Sequence, residues 1–394
     1  MTTTAAASSS SSSSEPQRKH RLVFLGTPEP AACVLRSLLE ASRHSAANFE
    51  VAAVVSQPAK AQGRGRKAAP PSPVAAAATL AGFSEEAPLS AAPPLGTAPP
   101  PLLCPASPKD ESFLDLIDKI EPDLCVTVAY GGLLNSRFLK IPKRGTLNIH
   151  PSLLPRWRGA APVQRTLAAG DEECGVSLAF TVLALDAGPV LASEKIKTPP
   201  TATAPELLSL LVSKGGDLLL KELPRVLSGE ASFEAATPQA EVERRALEEN
   251  KGMETFASHA ARLTRGDGRI DPFTQSLKEA FDRWRSAAGW PGGWLVVKVE
   301  GEVEESELKL EEAAPAVSEA GVEAAKKAFS ASSFPPPAGS LAATKEALLI
   351  VCADGGILKV TTVKPAGRKA MGAGAWANGL GGRKVEAVKA EAKE

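Results

Sequence analysis

The chain has 394 residues, enough for two domains, and 43% of them are hydrophobic, enough to bury a sizeable core. Its 45 basic and 45 acidic side chains cancel, so global charge does not announce a nucleic-acid binder, although a local basic patch still creates a local field. The five cysteines are odd in number and show no Cys-x-x-Cys spacing, which excludes a secreted disulfide framework and a zinc ribbon, and no apolar run is long enough for a helical membrane span.

Residues 1–20 read as a disordered leader or transit segment, Ser-rich and without an acid before Glu15. RLVFLG (21–26) reads as a buried strand stopped by glycine, followed by an apolar-periodic helix through Leu35, Leu38 and Leu39. EVAAVV (50–55) is a second strand, and strand–helix–strand order opens a parallel α/β sheet. SQPAKAQGRGRKAAPPSPV (56–74) is a loop rich in Gly, Pro and cations, and 85–108 reads as a proline-rich surface insertion. SFLDLIDKI (112–120) has helical spacing, and DLCVTVAY (123–130) is a strand covered on both faces. TLNIH (146–150) is a short strand, 175–191 contains one or two more, and 207–229 is a long amphipathic helix. This first domain spans 21–229.

Residues 230–250 are polar and read as a linker. GWLVVKVEG, ALLIVCADG and ILKVTTVKP then predict a small β domain over 251–380, with an acidic, Ala-rich insertion at 301–340 and a disordered tail at 381–394. At least two of Trp284, Trp290 and Trp294 are expected in its core, since it is poor in other aromatics.

Histidine is scarce, with His20 in the basic tail, His44 in a loop, His259 in a helical stretch and His150 at a strand end. Ligands of parallel α/β sheets bind at the carboxyl ends of strands, and an imidazole there suits proton transfer. A hydrogen-bonded structural histidine is an equal reading of those features. Asn148, two residues earlier, points to the same face, and an amide donor beside an imidazole suits a developing oxyanion. Asp186 ends another predicted strand; an Asx turn before Gly188 is its plainer reading. PSLLPRWRGAAPVQ (151–164) packs prolines, arginines and a tryptophan into a rigid loop, either a site or a salt-bridged connection.

The string NIHPSLLPRWRGAAPVQ with LDAG downstream resembles the formyltransferases that use N10-formyltetrahydrofolate, and WRGAAPVQ resembles the branch acting on methionyl-tRNA. FLGTPEPAA (24–32), SQPAKAQGRGRK with PSPV, VAYGGLL (128–134), GRIDP (268–272), GWPGGW (289–294) and KPAGRKAM (364–371) agree with it. The resemblance implies a Rossmann-like parallel sheet with helices on both faces, plus a C-terminal β-barrel of the oligonucleotide-binding class. By position, Asn148, His150 and Asp186 fall on the catalytic triplet. Ser152, Leu153, Leu154 and Pro155 fall on the folate-binding loop, and Arg64, Arg66 and Lys67 on a basic tRNA-binding loop. The implied co-substrate is 10-formyltetrahydrofolate without a metal, and the implied acceptor is initiator methionyl-tRNA. A monomer with no membrane partner is expected, in a mitochondrion or plastid, with the cytoplasm as the alternative. The sequence departs from the family pattern at Ala187 (usually Thr), at Pro30 (commonly aromatic), at Asn135 (often Pro) and in the two insertions. A formyltransferase acting on another amine and an idle tRNA-binding protein are alternatives. A dinucleotide oxidoreductase is weaker, because GlyThrProGlu replaces Gly-x-Gly-x-x-Gly after the first strand.

Overall fold

The computed structural model describes residues 18–59, 69–85, 99–249, 257–329 and 334–389. They divide into two units, Met1–Thr146 with Arg225–Glu230, and Leu147–Pro224 with Ala231–Glu394. The first contains β1 (His20–Gly26), α1 (Glu29–Ser42), β2 (Phe49–Val55), α2 (Pro73–Leu80), β3 (Leu102–Leu103), α3 (Glu111–Ile120), β4 (Leu124–Val128) and the single turn α4 (Ser136–Leu139). Its strands pair in parallel in the order β3-β2-β1-β4, the Rossmann-like arrangement expected. Every residue of β4 is buried, which is why it reads as an uninterrupted apolar run.

Along β1, Val23 and Leu25 meet Ala53 and Val55 of β2 and the apolar stripe of α3: Phe113, Leu114, Ile117 and Ile120. Glu111 in the first turn of α3 and Lys119 in its last complement the helix dipole. Leu22 and Phe24 point to the opposite face, and α1 and α2 pack together against β2. Asn135, where the family often has proline, caps α4 by accepting from the Phe138 N–H at 2.9 Å.

Two local readings change. His20 is not part of a tail but the first residue of β1, with its Nδ1 3.7 Å from the Asp123 carboxylate. The stretch 85–108 is not all insertion: Leu102 and Leu103 pair with Val54 and Val55 as an edge strand, where neighbouring prolines cost no ladder bond.

The second unit begins along β5 (Thr146–His150) and continues with β6 (Arg158–Gly159), α5 (Pro162–Ala168), β7 (Glu173–Phe180), β8 (Val190–Lys197), α6 (Ala204–Ser228) and α7 (Gln239–Glu249). β5, β7 and β8 pair antiparallel. α6 lies close on them at Gly215, where any side chain would collide with Ile149 and Val176. After β9 (His259–Ala260) and α8 (Leu277–Ala287) come β10 (Gly293–Val299), β11 (Ser306–Pro315), α9 (Glu319–Phe329), β12 (Leu341–Ala343), β13 (Leu348–Val351), β14 (Ile357–Pro365), β15 (Met371–Gly372), α10 (Ala373–Gly379) and β16 (Val385–Ala387). These strands form an antiparallel sheet in the order β12-β13-β14-β11-β10-β16, with β15 on β14, and its end strands β12 and β16 approach each other as in a nearly closed barrel. Leu295, Val297, Leu308, Leu310, Val360 and Val363 fill it, with Phe281 of α8 packed among them.

Three expectations fail here for one reason, that polar sequence hid partly buried elements, and a fourth fails because a strand was read as a helix. Residues 230–250 are not simply a linker, because they contain α7. The stretch 301–340 is not simply an insertion. It holds β11, in which Leu308 and Leu310 are buried while charged neighbours face out, and β11 pairs with both β10 and β14. Val385–Ala387 of the expected tail pair with β10. His259 lies in strand β9, paired with Arg158, and not in a helix. Of the three tryptophans, Trp284 packs on the barrel core, Trp290 is exposed, and Trp294 lies beneath the guanidinium groups of Arg265 and Arg269; Trp376 fills the core instead. All five cysteines are free thiols. Among the described residues no helix is long and apolar enough to cross a membrane.

Candidate active site

β5 delivers two of the three predicted groups. Asn148 lies opposite Ala179 and His150 opposite Ser177, so the two side chains share one face of the strand. Asn148 is half-buried and His150 is 4% exposed. His150 Nε2 lies 3.0 Å from the Trp157 carbonyl. A carbonyl only accepts, so the proton on Nε2 is fixed there, and Nδ1 is the position that can gain or lose one. Nδ1 faces the Asp186 carboxylate, 3.8 Å away.

Asp186 stands in the turn between β7 and β8 rather than at a strand end. Its φ of 49° lies in the left-handed region, which Asp tolerates better than most residues. The Gly159 N–H donates to its carboxylate at 2.9 Å. Gly188 closes the turn where a Cβ would overlap the Phe180 carbonyl, so the Gly of LDAG is required by space. An open cleft of about 610 Å³ adjoins this turn, bounded by Arg158, Ala187, Phe233 and Gln239.

The loop from Ser152 to Arg158 is built largely from its own contacts. Ser152 Oγ donates to the Arg156 carbonyl at 2.6 Å, and Leu154 is buried against Ala179 and Val190. Ser177 Oγ donates to Ser152 O at 2.8 Å and accepts from Leu154 N at 3.0 Å. Leu154–Pro155 is a cis peptide. Leu153 is half-buried beside Gly175, and Pro155 is buried. The side chains of Ser152 and Leu154 are thus engaged inside the protein, and so are the Ser152 carbonyl and the Leu154 N–H. Asp171 accepts two bonds from Arg156, at 2.8 and 2.6 Å, and one from the Trp157 indole at 2.8 Å. The Arg156 guanidinium also covers the Trp157 ring at 4.6 Å. These contacts hold Trp157, whose φ is 63°, and with it the carbonyl that orients His150.

Asn148, His150 and Asp186 are therefore brought together. Arg64, Arg66 and Lys67, with Lys60, lie outside the described residues. Sequence reasoning missed Asp171, Ser177 and Gln239. Each acts through a contact to a residue distant in the chain, and no local spacing announces such a contact. Among the described residues no group of three or more His, Cys, Asp or Glu is arranged to hold a metal ion.

The fold is thus an α/β unit followed by an antiparallel, barrel-like sheet, with an imidazole facing a carboxylate at the end of β5 and an amide on the same strand face. The formyl transferase family profile matches residues 20–223, and that of the formyl transferase C-terminal domain matches 262–381. The methionyl-tRNA formyltransferase of Thermus thermophilus is 36% identical over 92% of this chain and 96% of its own length. That of Frankia casuarinae is 34% identical over 91% and 94%. The chain belongs to the formyl transferase family and, within it, to the methionyl-tRNA formyltransferases. Solved structures show the same fold at low identity. HypX from Aquifex aeolicus gives a TM-score of 0.54 at 16% identity, covering 92% of this chain and 49% of that one. The N-formyltransferase from Helicobacter canadensis, solved with folinic acid and dTDP-3-aminofucose, gives 0.53 at 12%, covering 86% and 98%.

Proposed function

We propose that this protein transfers the formyl group of 10-formyltetrahydrofolate to the free amino group of methionyl-tRNA, the reaction that supports bacterial-type translation initiation. The observation that carries the reading is the pairing of His150 Nδ1 with Asp186 at 3.8 Å, beside Asn148 on the same strand. Family membership supplies the donor class, and the names of the full-length relatives support the acceptor.

The chemistry follows from these groups. The amine nitrogen attacks the formyl carbon, a C–N bond forms, and the carbonyl oxygen becomes an oxyanion. The Asn148 amide and a proton on His150 Nδ1 donate to that oxygen, and one such donor is typically worth about 3 kcal/mol. Asp186 orients the imidazole and takes part in moving the proton that the amine loses to the folate nitrogen. The carbon–folate nitrogen bond then breaks, releasing tetrahydrofolate and the formylated amine.

The test is single-turnover transfer of labelled formyl from 10-formyltetrahydrofolate to charged initiator tRNA, run beside a small amine acceptor. Asn148→Ala, His150→Ala and Asp186→Ala are each expected to cut turnover by about a hundredfold or more. Near-normal turnover of His150→Ala would refute the assignment, and preference for the small amine would refute the acceptor. Residence in a mitochondrion or plastid is the reading we favour, supported by the Ser-rich, acid-poor residues before Glu15. A fluorescent fusion of residues 1–40 that stays in the cytosol would count against it.

A further inference from the structure

We propose that Gln239 is a positioning residue of the active site, through which the segment after the catalytic domain holds Asp186; the proposal rests on the reading of Asp186 as the catalytic carboxylate. Gln239 is the first residue of α7 and is only 4% exposed. Its Nε2 donates to the carbonyls of Asp186 and Gly188, both at 2.7 Å, so both amide protons are used. Its Oε1 accepts from Arg158 Nε at 2.7 Å. Arg158 is followed by Gly159, whose N–H holds the Asp186 carboxylate at 2.9 Å. The four residues close a ring: Gln239 grips the backbone of Asp186, Gly159 its carboxylate, and Arg158 joins the two grips.

The ring answers a specific need. Asp186 adopts a left-handed backbone, and such a conformation persists only where its surroundings over-determine it. The neighbouring pair of bonds between Val190 and Thr237, at 2.8 and 2.9 Å, ties α7's approach to the far side of the same turn. Glutamine suits the position because two carbonyls demand two donors from one side chain. A glutamate would face them with acceptors, and a methionine of similar length would supply nothing.

The experiment measures kcat and KM for wild type, Gln239→Met, Asp186→Asn and the double variant, with melting temperatures alongside. Gln239→Met is expected to lower kcat by about tenfold or more through misplacement of Asp186, with KM for formyltetrahydrofolate within about twofold. In the Asp186→Asn background the same change should alter kcat by less than about twofold, since the group it positions has gone. If Gln239→Met proves unstable, Arg158→Met tests the ring from its half-exposed corner and should show the same dependence on Asp186. If Asp186→Asn lowers kcat but the Gln239 and Arg158 variants do not, or act equally in both backgrounds, the site reading stands and the proposal alone is overturned. If Asp186→Asn leaves kcat unchanged, the site reading fails and takes the proposal with it.

Discussion

Replacing Asp171 by alanine tests how the loop carrying Trp157 is held. The carboxylate makes a bidentate pair with Arg156, the two side chains being 13% and 24% exposed, and accepts the Trp157 indole N–H. Breaking a fully buried pair costs about 3–5 kcal/mol. Here the guanidinium keeps some contact with water and its stacking on Trp157, which lowers that to about 2 kcal/mol. Leaving the indole N–H without its acceptor adds about 1 kcal/mol. The sum of about 3 kcal/mol corresponds to a fall in melting temperature of roughly 6–12 °C for a domain of this size. Trp157 also supplies the carbonyl that fixes the proton on His150 Nε2, so kcat should fall in the molecules that remain folded. Urea unfolding gives the stability term, and formyl transfer at a temperature below both transitions gives the catalytic one. A variant that melts within about 1 °C of wild type with unchanged kcat would refute the reasoning, since the clamp would then hold nothing the site uses.

Gly188→Ala should displace the Asp186 turn, because its Cβ would overlap the Phe180 carbonyl; loss of activity out of proportion to loss of melting temperature is the expected signature. Burial raises the Asp267 pKa, but the Thr264 N–H, the Arg165 guanidinium and the Thr264 hydroxyl outweigh it and hold the group below the usual carboxylate range. Its contribution to stability is therefore complete above about pH 4 and is lost as pH falls through the lower folded value. Asp267→Asn should accordingly be less stable at neutral pH and lose less on acidification below about pH 4, measured by urea midpoints against pH. Arg64→Ala should weaken tRNA binding and reduce the slope of log K against log salt by about one; an unchanged slope would remove this loop from the interface.

Much of the scaffold was legible in sequence because its elements are buried in patterns that repeat locally. β1, β2 and β4 carry apolar runs, and α3 carries its apolar stripe at helical spacing. The placement of Asn148 and His150 on one face follows from strand geometry alone. Where an element is short or half-exposed, as in β3 and β11, proline or charge masks the pattern, and only pairing with neighbouring strands defines the strand.

The amino-acid sequence by itself determined the family, the order of the main elements and the identities of the amide, imidazole and carboxylate. Tertiary structure alone decided how those groups are held: the proton on His150 fixed by the Trp157 carbonyl, Arg156 clamped by Asp171, and the Asp186 turn gripped by Gln239. The physical reason is separation. Local patterning records which face of an element is buried, whereas a hydrogen bond such as that from Arg158 to Gln239, 81 residues apart, depends on every turn between its partners.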